Sequence, residues 1–336
     1  MKQSPKSKTK FKLDKGLLVR IHDLMVKTRM LEERLVRMYK LNDGYFWIGG
    51  PGEEAFNIPL GLQIKKGEGK DYDYLHLKYR SSGVLLTMGA DPMDTIRQMK
   101  NTATDPYSCG RSFVNHQSIR SWNVIPITSP IGVEFATSIG TGLSQRRHGG
   151  EGITIVVGGD AGTAEGEFAS TLIWAARPGF ELPMLIIVTN NNWGISTTAA
   201  SQHGEKWISD RGKAFGMRTL TINGNDVEES YFAIKESMEY VRTERKPVLL
   251  EALVSRLYGH SSASGANFIS DEEDPLVTFE TNLERAGVLG REEMNAIREK
   301  YFAEMLELSK KVREEPMPDP SAIYDYTYFG QKGRYW

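Results

Sequence analysis

The chain has one cysteine in 336 residues, Cys109, so no internal disulfide can form; a reducing compartment suits it better than an oxidising one. Charge of either sign is not in excess: 42 basic residues face 43 acidic ones, a net of −1. That balance removes the uniform field by which nucleic acid or an anionic membrane is drawn in. No apolar run approaches the ~20 residues that cross a bilayer, and the lysine-rich opening MKQSPKSKTKFK lacks the apolar segment of a secretory signal. These absences predict a cytoplasmic protein whose residues 1–12 form a flexible basic tail, with no nucleic-acid or membrane partner. Also missing are the G-x-G-x-x-G fingerprint of dinucleotide sites and the G-K-[ST] ending of a Walker loop.

What is present centres on residues 153–197, ITIVVGGDAGTAEGEFASTLIWAARPGFELPMLIIVTNNNWGIST. The apolar runs 153–157 and 184–188 read as strands, and Phe168, Leu172, Ala175 and Ala176 between them fall at helical spacing. A right-handed crossover makes the two strands parallel. It sets Asp160 and Asn190–Asn192 together at their carboxyl ends, where open α/β sheets bind ligands.

Before this unit, apolar residues from Leu17 to Leu41 recur every three or four positions, as in a long amphipathic helix. The segment GYFWIGGPGEEAF (44–56) crowds aromatics and glycines ahead of a helix near Glu53; it reads equally as a substrate-facing loop or as a buried turn. Tyr79 and Arg80 precede another helix, and an arginine there suits either a phosphate or solvent. Residues 101–130 show no period, and a small-residue helix follows over 131–145. After the central unit come a strand and turn in 214–226, a helix over 227–243, a buried strand over 247–254 and a polar loop carrying His260. Helices over 276–286 and 291–313 lead to a tyrosine-rich tail, expected to dock on this chain or another. The fold predicted is a three-layer α/β/α domain with a mostly parallel sheet over 13–275, extended by C-terminal helices and a docking tail over 276–336.

Asp160 and an asparagine near 191 offer hard oxygen ligands, suited to Mg²⁺ or Ca²⁺ rather than zinc. Gly158, Gly159, Gly162 and Gly166 let backbone amides approach an anion at a helix start. Metal and helix start together suggest a diphosphate, although an aspartate after a strand serves equally as a structural cap.

GGDAGTAEGEF followed by VTNNNWGIST resembles the thiamine diphosphate motif of the alpha subunits of 2-oxoacid dehydrogenase complexes. GYFWIGGPGEEA, KYRSSG, TSPIGVEFA, INGND and SRLYGHSS resemble further segments of that family, in its order, across roughly residues 17–325. The resemblance implies the thiamine diphosphate-binding fold and oxidative decarboxylation of a 2-oxo acid with acyl transfer to a lipoyl group. It implies that Asp160, Asn191 and the main-chain carbonyl of Trp193 bind Mg²⁺, with Gly159, Ala161 and Gly162 beside the diphosphate. Tyr79 and Arg80 would hold that diphosphate, Ser129 and Ile131 would flank the pyrimidine with Ile131 as the bending wedge, and His260 would steer proton transfers. Phe46 and Trp47 would line the acyl pocket. It further implies a beta subunit supplying the pyrimidine-activating glutamate in an α2β2 assembly, and a lipoyl-bearing acyltransferase component.

Several positions depart from the family pattern. Ala161 replaces a glycine, Ser81 and Ser82 replace Glu-His, Ser264 stands in place of an aspartate, and Val133 and Glu134 replace Thr-Gln. These departures keep open a non-catalytic or regulatory relative that binds a beta subunit, and a half-length transketolase-like protein. TSPI and HSSAS lean toward branched-chain 2-oxo acids, ahead of pyruvate and acetoin.

Overall fold

The computed structural model describes residues 10–325. Its helices are α1 (Lys15–Lys40), α2 (Glu54–Gln63), α3 (Ser82–Thr87), α4 (Pro92–Lys100), α5 (Val133–His148), α6 (Gly166–Ala175), α7 (Asp210–Lys213), α8 (Val227–Glu244), α9 (Pro275–Arg285) and α10 (Arg291–Arg313). Its strands are β1 (Tyr74–His76), β2 (Thr154–Gly159), β3 (Met184–Asn190), β4 (Trp193–Gly194), β5 (Thr197–Thr198), β6 (Arg218–Asn223) and β7 (Val248–Leu253). Five of them form one parallel sheet in the order β1-β2-β3-β7-β6, and β4 and β5 make a small antiparallel ribbon. The strand, helix and second strand expected over 153–197 are the sheet's centre, with Gly159 paired to Thr189.

Alternation along the strands builds the layers. Ile155, Val157, Leu185, Ile187 and Leu250 face α2, α3 and α8, whereas Val156, Ile186, Val188 and Leu249 face Phe135 of α5 and Phe168 and Leu172 of α6. At Gly158 an added Cβ would lie 2.2 Å from the Phe135 ring, so glycine there lets α5 close onto the strand. A third core joins α1 to α9 and α10 through Leu18, Ile21, Met25, Leu283, Met305 and Val312.

Buried charge locks that helical layer to the sheet layers. Arg29 of α1 donates to both carboxylate oxygens of Glu54 in α2 (2.6 and 3.1 Å) and of Asp274, the N-cap of α9 (2.7 and 3.0 Å). Such double forks are the strongest charged contacts a protein makes.

Three segments show more than the sequence pattern carries, and residues 1–9 of the expected tail lie outside the described residues. The short edge strand β1 falls in DYDYLHLK, too brief for its alternation to register against the surrounding polar residues. Within the expected tail, Phe11 packs edge-on against Phe279, and the Lys12 and Leu13 amides donate to Glu228. Residues 101–130 are irregular but braced: the Asp105 carboxylate accepts from the amides of Tyr107, Ser108 and Gly110. At the start of the C-terminal tail, the Ala103 amide donates to the Pro316 carbonyl and Arg111 to the Asp325 carbonyl. Tyr326, Tyr328 and Trp336 lie outside the described residues.

Arg29→Met leaves two carboxylates without their shared cation, one of them fully buried. We expect a loss of about 3–5 kcal/mol, read as a lower urea midpoint with unchanged slope.

Candidate functional site

Each functional segment begins where a strand of the parallel sheet ends. Lys78, Tyr79 and Arg80 follow β1, Asp160 follows β2, Asn191 follows β3 and His260 lies beyond β7. Together with Ile131, Gly159, Ala161, Gly162 and Trp193 these residues line one cleft of about 340 Å³. The sequence-derived set is therefore brought together, with three exceptions.

Trp47 is not on the cleft wall. It is fully buried, its ring against Tyr258 and its indole Nε1–H donating to Glu32 at 2.9 Å. Glu32 also accepts from Ser82 Oγ (2.6 Å) and Asn115 Nδ2 (3.2 Å), so the indole belongs to a buried polar hub. Of the two readings of the aromatic segment, the buried turn holds for Trp47. Phe46 is half-buried and tilts against Phe113, ring centroids 4.9 Å apart, also away from the cleft lining. Ser129 is exposed and reaches the site only indirectly: its Oγ bonds His116 Nε2 at 2.9 Å, and His116 stacks on Tyr79 at 6.1 Å.

Arg80 organises one side. Its guanidinium donates to the Gly49 carbonyl, to the His260 carbonyl (3.1 Å) and to His260 Nδ1 (3.3 Å). Accepting at Nδ1 puts the histidine proton on Nε2. Burial, then Arg80 and Arg256, push the His260 pKa down to about 4, so at neutral pH it is an uncharged donor.

Asp160 organises the other side. It is 1% exposed and its Oδ2 has no hydrogen-bond partner among the described residues. Burial pushes its carboxyl above the usual range, against the pull of Lys78. An orphaned buried carboxylate oxygen is what a hard cation satisfies. The three asparagines divide their tasks: Asn190 donates to buried Glu251 (2.8 Å), Asn192 takes a left-handed turn (φ 64°), and Asn191 lines the cleft. Among the described residues no three His, Cys, Asp or Glu side chains group as a metal site. A metal here would have to draw on amide and main-chain oxygens.

The turn after Asp160 is braced, Thr163 Oγ1 donating to the Asp160 carbonyl at 2.7 Å and Arg211 to that of Thr163. The Ala161 methyl faces the β4 ribbon: a Cβ at Gly194 would lie 2.6 Å from it. The space for the extra methyl comes from the neighbouring segment. Ile195 has φ 55°, strained for a β-branched residue, and its carbonyl accepts from Arg256 at 3.1 Å.

Sequence reasoning missed Lys78, Glu134, Glu165 and Gln202 on the cleft wall, and Arg256 behind it. Recognising β1 would have placed Lys78 at a carboxyl strand end. Burial pushes the Lys78 ammonium below its ordinary pKa, opposed by Glu53, and raises the Glu134 carboxyl.

A depressed histidine pKa contributes stability that is complete above the ordinary 6.5 and lost as pH falls toward about 4. The His260 ring resonances should therefore stay constant from pH 8 to 5.5 in NMR titration, and Arg80→Ala should move the midpoint upward. For the methyl exchange, Ala161→Gly should change ligand affinity less than about threefold. Gly194→Ala should lower the melting temperature by several degrees, an overpacking cost of about 1–3 kcal/mol.

The family model for the dehydrogenase E1 component matches residues 22–321. The 2-oxoisovalerate dehydrogenase subunit alpha of Bacillus subtilis is 27% identical over 318 residues, covering 92% of this chain and 94% of that protein. The mitochondrial subunit alpha 1 of Arabidopsis thaliana is 27% identical over 322 residues, covering 92% of this chain and 66% of its own length. The Mus musculus mitochondrial subunit is 23% identical, covering 84% of this chain, which spans 64% of it. With a family match over most of its length and the cleft assembled at the strand ends, the chain belongs to the dehydrogenase E1 component family, among the alpha subunits of thiamine diphosphate-dependent 2-oxoacid dehydrogenases.

Proposed function

We propose that this chain is the alpha subunit of a branched-chain 2-oxo acid dehydrogenase and holds the diphosphate of thiamine diphosphate through Mg²⁺. The observation that carries the reading is the meeting of Arg80, Asp160, Asn191 and His260 on one cleft. Bound there, the cofactor supplies the electron sink for loss of carbon dioxide from a 2-oxo acid. Asp160, Asn191 and the Trp193 carbonyl would hold the metal. Arg80 would give charge-assisted hydrogen bonds to phosphate oxygens, with Tyr79 beside it and Gly159, Ala161 and Gly162 along the diphosphate. Ile131, exposed on the cleft wall, would press the bound molecule into its bent form. His260 would present an uncharged Nε2–H to the reacting oxygen and exclude a second positive charge from it. Ser129 would act through His116, orienting that ring against Tyr79. Phe46, packed on Phe113 off the cleft lining, and buried Trp47 would stand behind the acyl pocket rather than on its wall.

The reading includes a beta subunit that donates the pyrimidine-activating glutamate in an α2β2 assembly, and a lipoyl-bearing acyltransferase that takes the acyl group. It is supported by the exposed apolar side chains of Ile131, Trp193 and Ile195 on the cleft lining, which a partner chain would cover. No helix among the described residues is long and apolar enough to cross a membrane, and the single cysteine supports a cytoplasmic location. The same reading takes residues 276–336 as a C-terminal extension of the 13–275 domain, with α9 and α10 packed on α1 rather than on the sheet.

The names of the relatives and the TSPI segment support a branched substrate. With the cognate beta chain, carbon dioxide release from 3-methyl-2-oxobutanoate should exceed that from pyruvate at least ~10-fold in kcat/KM, the range a pair of methyl groups provides in an apolar pocket. Equal values would refute the substrate choice. With that beta chain present, absence of calorimetric binding of thiamine diphosphate with Mg²⁺ would refute the cofactor assignment.

A further inference from the structure

We propose that Lys78 is a second cationic ligand of the bound diphosphate, acting beside Arg80; the inference rests on the cofactor reading above. Lys78 is 8% exposed and lines the same cleft as Arg80, Asp160, Asn191 and His260. Its Nζ donates to Glu53 Oε1 at 2.9 Å and to Thr189 Oγ1, so the protein takes two of the three ammonium protons. Those two partners fix the lysine between the loop that opens α2 and the end of β3, two residues before Asn191.

Burying a lysine-glutamate pair gains little over burying two apolar side chains of similar volume. A pair that served only to fill this space is therefore a poor use of the position. The surroundings are also incomplete as they stand. Glu53 Oε2 and Asp160 Oδ2 have no hydrogen-bond partner among the described residues, and Arg80 is as deeply buried as Lys78. Opposed charges arrayed without mutual saturation are arranged for a ligand carrying both signs, as a metal-bound diphosphate does. The third ammonium proton would go to a phosphate oxygen, and Thr189 and Glu53 would hold the Nζ in place for it. Lys78 thereby acts as a binding residue: it supplies positive charge from β1 where the metal supplies it from β2 and β3.

The competing account is that Lys78 only neutralises Glu53, and a double substitution separates the two. Binding of thiamine diphosphate with Mg²⁺, and of inorganic pyrophosphate with Mg²⁺, is measured by calorimetry on the full chain assembled with its cognate beta chain for wild type, K78M, E53Q and K78M/E53Q, with melting temperatures recorded alongside. A charge-assisted hydrogen bond to phosphate corresponds to about 10–100-fold in affinity. The expected result is that loss for both ligands in K78M and in K78M/E53Q, with E53Q at or above wild-type affinity. K78R, which keeps the charge, should bind within about threefold of wild type and serves if K78M does not fold. Wild-type affinity in K78M/E53Q would overturn the proposal in favour of neutralisation alone, as would unchanged affinity in K78M. A wild-type assembly that binds neither ligand would overturn the cofactor reading itself, a failure distinct from one confined to the Lys78 variants.

Discussion

The Arg80 guanidinium, closed between the carbonyls of Gly49 and His260, is the contact on which the cleft depends. It joins three stretches far apart in sequence: the glycine loop ahead of α2, the end of β1 and the segment beyond β7. A guanidinium cannot be deprotonated at accessible pH, so burying it commits the surrounding chain to supply acceptors. The two carbonyls do so and leave the His260 ring drawn in by its Nδ1. From that single demand follow the tautomer of the histidine and the direction in which its remaining N–H is offered, while burial first and Arg80 second lower its basicity.

A second demand runs through the sheet. Strands β1, β2, β3 and β7 are parallel neighbours, so their carboxyl ends open on one edge. That geometry gathers charge from segments that share no local pattern. Asp160 is deprived of solvent without being given a full set of donors. Elsewhere charge meets charge directly, as at Arg29, whose guanidinium is filled by two carboxylates. In the cleft the Asp160 carboxylate keeps an oxygen with no such partner among the described residues.

Legibility in the sequence follows the range of the interactions. The long helices, the central crossover unit and the buried strand β7 are written in local periodicity and appear close to their expected bounds. Asp160 and the Asn190–Asn192 cluster were readable because each follows an apolar run, and the resemblance singled out Asn191 within the cluster. Trp47 was not, since an aromatic beside glycines looks the same whether its indole faces a ligand or Glu32, fifteen residues away. Lys78 was hidden behind a strand of three residues, and its partners Glu53 and Thr189 lie 25 and 111 positions from it. Arg256 reaches the site through the Ile195 carbonyl, 61 residues distant. Contacts of that span leave no periodic trace.

The pairing of Ala161 with Gly194 has a consequence for how such a chain changes over generations. A Cβ at 194 would lie 2.6 Å from the Ala161 methyl and 2.6 Å from Gln202 Nε2, so the space the methyl occupies is open only while residue 194 is glycine. Substitution at the residue after the aspartate is therefore epistatic: an alanine there is neutral only on a background that already has glycine at 194. Once the alanine is in place, it closes the return route at 194, and the two sites must then be inherited as a unit.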